Sequence, residues 1–550
     1  MTFSLPLRPF ALSVSVALSS GIWPGAVSPG LAQGAPLLAS APAAGRIAPF
    51  AQAVAAAAAE DADLAAFYRA RDYRPVWTSA GDSARRAALF AAFDHAADQG
   101  LAPSRYGADD LRARFRSVAS ERQRGQLEVA ASRAFLTYAR DLTSGMLDPK
   151  SIDAGLVRTV TLRDRKAMLG AMADAPDPVS YLRGLVPDAP EYTGLARARL
   201  DLIAAIAAGG WGPEVGARSL APGDIGPEVV ALRNRLVALG YMRPTALAEY
   251  DGTMQKAVQA FQMDNGIEED GQAGPETINA INTSPEARLA SVLVAMERLR
   301  WMNGLDLGRR HVWVNLPDFT AKIVDDGKVT FETVTVVGMN QADRRSPEFS
   351  DQMEFMVINP TWNVPRSITV KEYLPMLQRN PNAAGHLRIV DRRGRLVPRD
   401  AVDFTQFNER NFPFSMSQPP SDGNALGLVK FMFPNPWNIY LHDTPSKSLF
   451  KKDVRAFSHG CIRLGRPFDF AYALLAPQVD DPKAEFQRHL DTGRESTLML
   501  KDPVPVHLVY FTAWPNARGR IEYRRDVYGR DARIFDALRA AGVELPAQRG

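Results

Sequence analysis

The sequence predicts a multidomain α+β protein, with helical regions first and a mainly β domain carrying a loop-rich insertion last. At 550 residues the chain is too long for one hydrophobic core. Apolar residues recur at helical spacing in its first half, as at Leu64, Phe67 and Tyr68. From about residue 310 they alternate with polar residues, as at Val312 and Val314, which predicts strands. The two periods therefore separate a helical part from a sheet.

The N-terminal residues 1–32 are typical of a secretory signal peptide. Arg8 supplies a positive start, Phe10–Trp23 form a short apolar run, and Gly30 and Ala32 are small residues suited to cleavage. The apolar run is too short and too interrupted for a membrane span. We therefore expect export to the periplasm, with membrane contact only through this segment if it stays uncleaved. Residues 33–60, rich in Ala, Pro and Gly, are expected to form a flexible leader.

Residues 61–215 are predicted to form a helical N-terminal domain. Apolar residues keep helical spacing here, and Gly100, Pro103, Gly145 and Pro149 separate the helices. The stretch contains no residues with catalytic spacing. We therefore expect this domain to act as a scaffold.

Residues 220–285 carry a pattern of three short helices. Val229, Leu232 and Leu236 give the first helix an apolar face, while Asp-Gly turns at Asp251 and Asp270 precede the other two. This order of apolar residues and turns resembles the peptidoglycan-binding domain-1 family over its full length. It departs from the family at positions 254 and 255, where a Met-Gln pair replaces a repeated glycine. The resemblance implies a wall-binding module, although a generic three-helix spacer would have the same pattern.

Charge and composition argue against two other classes of function. The formal net charge is only +4, and the Lys and Arg residues form no basic stripe interleaved with aromatics, so a nucleic-acid partner is not expected. The 7 histidines include no closely spaced ligand motif such as H-E-x-x-H. Neither a metal nor another cofactor is therefore expected.

Residues 290–550 are predicted to form the mainly β domain. After a linking helix the strands begin, and Asp326-Gly327 marks a hairpin turn between two of them. About residues 365–424 interrupt the strands with many Pro, Asn and Arg residues. A loop-rich insertion of this length is commonly a lid or a binding element. We therefore expect it to cap a site built on the sheet.

Cys461 is the only cysteine in the chain. His459 precedes it by two positions, and His442 lies further upstream in an apolar stretch. A lone cysteine is more often a small buried apolar residue. A thiol with nearby histidines, however, has the parts of a cysteine nucleophile. An imidazole can raise the thiolate fraction by forming an ion pair with the sulfur.

The string Ser458-His459-Gly460-Cys461 follows His442 after 15 intervening residues, and an Ile-Arg pair comes next. This pattern resembles the signature of L,D-transpeptidases with a YkuD-type catalytic domain. The helical region and the three-helix module resemble those of the large periplasmic class of that family. The resemblance implies acyl transfer between peptidoglycan stem peptides, through a thioester on Cys461 and with loss of D-alanine from a tetrapeptide.

The resemblance also implies a role for each residue of the pattern. Cys461 is the expected nucleophile and His442 the general base. His459 lies on the same face as Cys461 if the string is extended, and is expected to orient the thiolate. Which imidazole carries the exchanging proton stays open. The backbone N–H groups of Gly460 and Cys461 are the expected oxyanion hole, and Asp443 is expected to orient His442 through its carbonyl.

Further residues around this pattern are predicted to bind the substrate. Arg463 stands where many relatives have Asn, and is expected either to hold a stem carboxylate or only to shape the pocket. Trp437 and Tyr440 are expected to line the donor groove, unless they belong to the core. Ser458 is expected to hydrogen-bond within the site or to support its turn.

The acceptor decides the reaction, and the sequence leaves it open. An amine acceptor gives a 3→3 cross-link or attaches an outer-envelope protein to the stem, whereas water gives an L,D-carboxypeptidase or endopeptidase. A lid that excludes water favours transfer. A non-enzymatic wall-anchoring protein would need the module at residues 220–285 but not the histidine–cysteine pattern. The expected partners are therefore peptidoglycan stem peptides.

Overall fold

The computed structural model describes residues 48–546. The predicted signal peptide and residues 33–47 of the predicted leader lie outside the described residues. Residues 49–58 of that leader form a helix, and its Phe50 and Val54 are buried in the core of the helical region, so the prediction of a flexible leader is wrong there. The described chain combines a helical N-terminal region, a three-helix module and a large mixed sheet, so the predicted α+β fold class is confirmed. The predicted domain boundaries stay predictions.

The N-terminal region consists of helices joined by short turns. These helices are α1 (Pro49–Ala58), α2 (Ala62–Ala70), α3 (Ser83–Asp94), α4 (Ala108–Ser117), α5 (Glu121–Ser144), α6 (Pro149–Ile152), α7 (Arg165–Asp174), α8 (Pro178–Arg183) and α9 (Pro190–Ala207). Asp61 begins α2, because its side chain accepts a hydrogen bond from the Leu64 N–H at 3.2 Å. The buried carboxylate of Glu128 in α5 accepts hydrogen bonds from the N–H groups of Val76 and Trp77. The turn between α2 and α3 is thereby fixed against α5.

The three-helix module consists of α10 (Pro227–Ala238), α11 (Gly252–Asp264) and α12 (Pro275–Ile281), as the sequence predicts. Asp251 begins α11, because its side chain accepts a hydrogen bond from the Met254 N–H at 2.8 Å. Leu232, Val258 and Phe261 are fully buried in a core made only of residues from this part of the chain. The module therefore has a hydrophobic core of its own.

The linking helix α13 (Pro285–Met302) is buried along most of its length and contacts the helical N-terminal region. Its Arg298 pairs with Glu348 at 2.5 Å and with Asp531 at 2.9 Å, and all three side chains are buried. Arg530 pairs with the same Glu348 at 3.2 Å. Buried charges persist only when they are paired. This network therefore joins the linking helix to Glu348 and to the C-terminal segment that carries Arg530 and Asp531.

The C-terminal region is built on a mixed sheet. Its strands are β1 (Arg310–Asn315), β2 (Thr320–Asp325), β3 (Lys328–Gly338), β4 (Phe349–Ile358), β5 (Trp362–Asn363), β6 (Arg388–Val390), β7 (Ser415–Gln418), β8 (Val429–Met432), β9 (Leu441–His442), β10 (Ala456–Ser458), β11 (Ile462–Leu464), β12 (Ser496–Val509), β13 (Ala513–Pro515) and β14 (Ile521–Tyr523). The main sheet has the order β10-β3-β11-β9-β8-β4-β12-β1-β2 and closes on itself, because β2 also pairs with β3. Alternate residues such as Val312 and Val314 are fully buried in the core that it encloses.

The capping insertion between β4 and β8 has a small sheet of order β5-β7-β6. It also contains α14 (Arg366–Ile368), a π-helical turn (Thr369–Tyr373) and α15 (Leu374–Arg379). Leu377, Ile389 and Phe404 are buried in a cluster made only of residues from the insertion. The insertion is loop-rich, as predicted, and in addition it is a small folded unit with its own core.

The remaining helices pack around the main sheet. They are α16 (Pro467–Leu475), α17 (Pro482–Leu490) and the C-terminal α18 (Arg530–Ala540). Strands β13 and β14 form a hairpin beyond the main sheet. Among residues 48–546, none of the helices has the length and apolar character needed to cross a membrane.

Candidate active site

Strands β9 and β11 run side by side in parallel and carry the residues of the predicted catalytic pattern. Their register pairs Ile462 with Leu441 and Arg463 with His442. Leu441 and Ile462 are fully buried in the enclosed core. Because side chains alternate along a strand, His442 and Arg463 point to the outer face of the sheet, and so does Cys461 just before β11. The sheet thereby brings Cys461 and His442, which are 19 positions apart in sequence, to one surface.

A cavity of about 590 Å³ lies over this surface. Every predicted site residue except Gly460 lines it, namely Trp437, Tyr440, His442, Ser458, His459, Cys461 and Arg463. The capping insertion contributes Thr361, Trp362 and Glu372, and the loop between β3 and β4 contributes Arg344. The insertion therefore forms part of the wall of the cavity that contains Cys461, and its role as a lid stays a prediction.

The turn that carries Cys461 is held by two serine hydroxyls. Ser458 Oγ donates to the Cys461 carbonyl at 2.6 Å and accepts from the Gly460 N–H at 3.1 Å. Ser346, from the loop between β3 and β4, donates to the Gly460 carbonyl at 2.7 Å. Gly460 has φ +116°, where other residues are strained, and an added Cβ would lie 3.2 Å from Ile439. The backbone thus needs glycine at this position.

These hydrogen bonds distinguish the two N–H groups predicted to form the oxyanion hole. The Gly460 N–H is already donated to Ser458, whereas the Cys461 N–H makes no hydrogen bond within the described chain. An oxyanion donor has to be free to meet the developing charge. The Cys461 N–H therefore fits that role better than the Gly460 N–H.

His442 is buried, and its ring orientation is fixed. Its Nδ1 donates to the carbonyl of Asp443 at 2.5 Å, the contact that the sequence led us to expect. Burial, followed by the positive charge of Arg463, lowers the pKa of His442 to about 3, although the carbonyls of Asp443 and Leu426 favour the protonated ring. A neutral ring that donates from Nδ1 keeps its lone pair on Nε2. The imidazole is therefore present as a base.

Cys461 is present as a thiol. Burial raises its pKa to about 11, against the opposing effects of the Tyr440 N–H and hydroxyl, Arg463 and Lys430. Its Sγ lies 3.5 Å from the carbonyl of Asn438, which accepts the thiol hydrogen. The resting site thus differs from the thiolate–imidazolium pair that the sequence suggested. Removing two charges from water inside a covered cavity costs more than their attraction returns.

Two positively charged side chains, Arg463 and Lys430, lie on the same surface, and neither is hydrogen-bonded to a carboxylate among the described residues. The side chain of Arg463 makes no hydrogen bond or ion pair among the described residues, and its Nε is buried without a partner. Lys430 of β8 lies opposite His442 of β9 in the antiparallel register of the two strands. Its Nζ lies 6.0 Å from the centre of the Tyr440 ring. Burial lowers the pKa of both groups. An unpaired guanidinium beside a lysine suits an anionic ligand such as a carboxylate.

Trp437 and Tyr440 line the cavity, and Tyr440 also packs against the enclosed core. The side chain of Trp437 is 40% exposed, and its ring centre lies 4.8 Å from that of Phe349. Tyr440 is half-buried, and its ring stands edge-on to His442 at 5.6 Å. Both are therefore available to contact a ligand in the cavity.

The structure adds residues that the sequence analysis did not single out. Lys430 had one local signal, a charge between the buried Val429 and Phe431 of β8. Glu372, whose Oε1 lies 2.7 Å from His459 Nε2, had none, because it is 87 positions away in an insertion. Among residues 48–546, no group of three or more His, Cys, Asp or Glu side chains is arranged to hold a metal ion.

Comparison with family models gives a description for each part of the chain. Residues 309–488 match the model described as the L,D-transpeptidase catalytic domain (YkuD), and this range contains the cavity and the cysteine turn. Residues 225–281 match a “Putative peptidoglycan binding domain”, and residues 62–198 match a scaffold domain.

Individual relatives carry the same family name. A Haemophilus influenzae protein named “Putative L,D-transpeptidase” is 30% identical over 257 residues, which are 46% of this chain and 51% of that protein. The chain thus spans about half the length of this curated relative.

Crystal structures of L,D-transpeptidases are also among the matches. Those from Xylanimonas cellulosilytica and Stackebrandtia nassauensis are each 16% identical, cover 54% of this chain and 100% and 96% of their own, and have TM-scores of 0.16 and 0.20. The catalytic pattern and the family models agree: residues 309–488 match the YkuD-type L,D-transpeptidase catalytic domain, and residues 225–281 match the peptidoglycan-binding model.

Proposed function

We propose that the protein is a peptidoglycan L,D-transpeptidase that uses Cys461 as its nucleophile. The observation that carries the proposal is the cavity in which a thiol, a neutral imidazole and an unpaired guanidinium meet. A thiol beside a base and an anion-binding group are the parts that acyl transfer from a peptide carboxyl terminus requires.

The first half-reaction acylates the cysteine. Arg463 and Lys430 hold the terminal carboxylate of a tetrapeptide stem, so that the preceding carbonyl carbon lies against Cys461. The sulfur attacks this carbon while His442 Nε2 takes the thiol proton. The Cys461 N–H donates to the oxyanion that forms. The C–N bond then breaks, His442 returns its proton to the departing nitrogen, and D-alanine leaves a thioester behind.

The second half-reaction transfers the acyl group. The amine of an acceptor stem peptide attacks the thioester carbon, and His442 takes the proton that the amine loses. The C–S bond breaks and the sulfur regains this proton, so the product is a 3→3 cross-link and the enzyme is restored. A surface protein of the outer envelope can supply the amine in place of a stem.

Water is the competing acceptor, and the capping insertion supports transfer over hydrolysis. It covers the cavity with Thr361, Trp362 and Glu372, which limits the access of water to the thioester. With water as acceptor the same acyl-enzyme makes an L,D-carboxypeptidase. The matched domains act on peptidoglycan, which indicates a protein of the cell envelope. The signal peptide expected at residues 1–32 supports a location in the periplasm.

Mass spectrometry of the purified protein with a disaccharide-tetrapeptide tests the proposal. We expect a mass increase on Cys461 that corresponds to the disaccharide-tripeptide acyl group, release of D-alanine and a cross-linked dimer. Cys461→Ala should fold with an unchanged melting temperature and lose all three products. Tripeptide without dimer would identify a carboxypeptidase. Wall binding without an acyl-enzyme would identify an anchoring protein and would contradict the proposal.

A further inference from the structure

The capping insertion is tied to the chain beside the active site by two adjacent residues, Lys371 and Glu372. Lys371 Nζ lies 3.0 Å from Asp343 Oδ2, and Glu372 Oε1 lies 2.7 Å from Arg344 Nη2. Both partners belong to the loop between β3 and β4. The Lys371–Asp343 pair is about half exposed at each end, so water screens it and it adds little stability.

Glu372 differs from its neighbour because it also binds His459 of the catalytic string. The same Oε1 that meets Arg344 lies 2.7 Å from His459 Nε2. An ionised carboxylate only accepts hydrogen bonds, so Nε2 carries the hydrogen and donates it. When the ring is neutral, its lone pair is then on Nδ1. One carboxylate therefore sets both the orientation and the tautomer of His459.

We propose that Glu372 is a positioning residue, which orients the His459 ring beside the cysteine turn only while the capping insertion is seated. The inference rests on the proposed transpeptidase function. Arg344 holds the carboxylate of Glu372 in place from the side of the sheet. The chain Arg344–Glu372–His459 thus joins three separate segments at the mouth of the cavity.

The local structure around Glu372 ties its carboxylate to the insertion rather than to the sheet. Glu372 lies in the π-helical turn Thr369–Tyr373, and such turns are often found at functional sites. Val370 and Leu374, on either side of it, are buried in the core of the insertion. The carboxylate therefore moves with the insertion, and lifting the insertion takes away the partner of His459. The covered site and the oriented histidine form together.

Kinetics of Glu372→Ala and of the matched control Lys371→Ala test the proposal on the full-length protein. Lys371→Ala removes the adjacent tie to the same loop without touching His459. We expect Glu372→Ala to lower kcat for D-alanine release by about tenfold or more with KM changed less than about threefold, and Lys371→Ala to keep kcat within about twofold. Glu372→Asp should recover part of the loss. Equal losses in the two alanine variants would overturn the proposal, because tethering alone would then explain the effect.

A spectroscopic measurement separates this inference from the proposed function, because it needs no turnover. Ring ¹⁵N chemical shifts of His459 are recorded in a Cys461→Ala background and assigned with His459→Gln. We expect the Nε2–H tautomer with Glu372 present, a tautomer mixture in Glu372→Ala and in Glu372→Gln, and no change in Lys371→Ala. A His459 spectrum that does not respond to Glu372 would overturn the inference. A response in a protein without transpeptidase activity would uphold the positioning and refute only the proposed function.

Discussion

Two regions on the outside of the closed sheet each carry a buried histidine. Only one of the two regions has the parts of an active site. On the face formed by β8, β9 and β11, burial lowers the pKa of His442 to about 3. On the face formed by β1 and β12, burial lowers the pKa of His507 to about 4. Measured by burial and pKa alone, the two histidines are alike.

The difference lies in what surrounds each ring. His507 accepts a hydrogen bond at Nδ1 from the Ser350 hydroxyl at 2.8 Å and donates from Nε2 to the Leu307 carbonyl at 3.0 Å. Both of its nitrogens are therefore satisfied, as is typical of a structural histidine. His442 donates from Nδ1 to the Asp443 carbonyl and shares its cavity with Cys461 and the unpaired Arg463.

A cavity by itself does not distinguish the faces either. A space of about 440 Å³ lies beside Trp313 and Trp514 near the second face. The one cysteine of the chain lies at the other face. A lowered histidine pKa marks burial, and it indicates chemistry only when a nucleophile and an open ring nitrogen accompany it.

The largest expected effect comes from replacing each histidine with glutamine. His442→Gln removes the base, so kcat for D-alanine release should fall by about 10²–10⁴-fold. His507→Gln should keep kcat within about threefold, but lower the free energy of unfolding by about 1–3 kcal/mol, because a buried hydrogen-bonding pair is lost. Steady-state kinetics and urea unfolding measure the two quantities. A catalytic defect in His507→Gln as large as that in His442→Gln would break the comparison.

The next effect concerns the protonation of Cys461 at rest. Since burial raises its pKa to about 11, alkylation by iodoacetamide should be slow at neutral pH. The rate should then rise about tenfold per pH unit from pH 7 towards pH 10, whereas that of glutathione levels off near its ordinary thiol pKa. Mass spectrometry of the alkylated protein follows the rate. A plateau already reached at pH 7 would indicate a resting thiolate–imidazolium pair.

The smallest effect is on stability at acid pH. Both histidines have a pKa lower in the folded protein than in the unfolded chain, so between about pH 6.5 and pH 4 the unfolded chain binds more protons. Their contribution to stability is present above pH 6.5 and is lost as the pH falls through that window. Replacing His507 by Gln should make the free energy of unfolding less dependent on pH, by about 1–3 kcal/mol across the window. An unchanged slope would mean that His507 does not titrate there.

Local patterns in the sequence were sufficient to predict many of the helices and strands and to single out Cys461 as the candidate nucleophile. The three helices of residues 227–281 and the turn at Asp326-Gly327 appear where the spacing predicts them. The string that ends in Cys461, with His442 before it, identified the pair that the cavity brings together. Such features depend on residues close in the chain, where spacing and composition determine the structure.

Only the tertiary structure decided which groups surround that pair. Ser346 reaches Gly460 across 114 positions and Glu372 reaches His459 across 87, and no local pattern marks either residue. The closed sheet brings Lys430 beside His442, and the segments packed around Cys461 bury its thiol, so that its pKa is raised. The sequence by itself determined the chemical groups and the elements that carry them. The charge states of these groups, their hydrogen-bonding partners and their burial follow from contacts between distant segments, which exist only once the chain has folded.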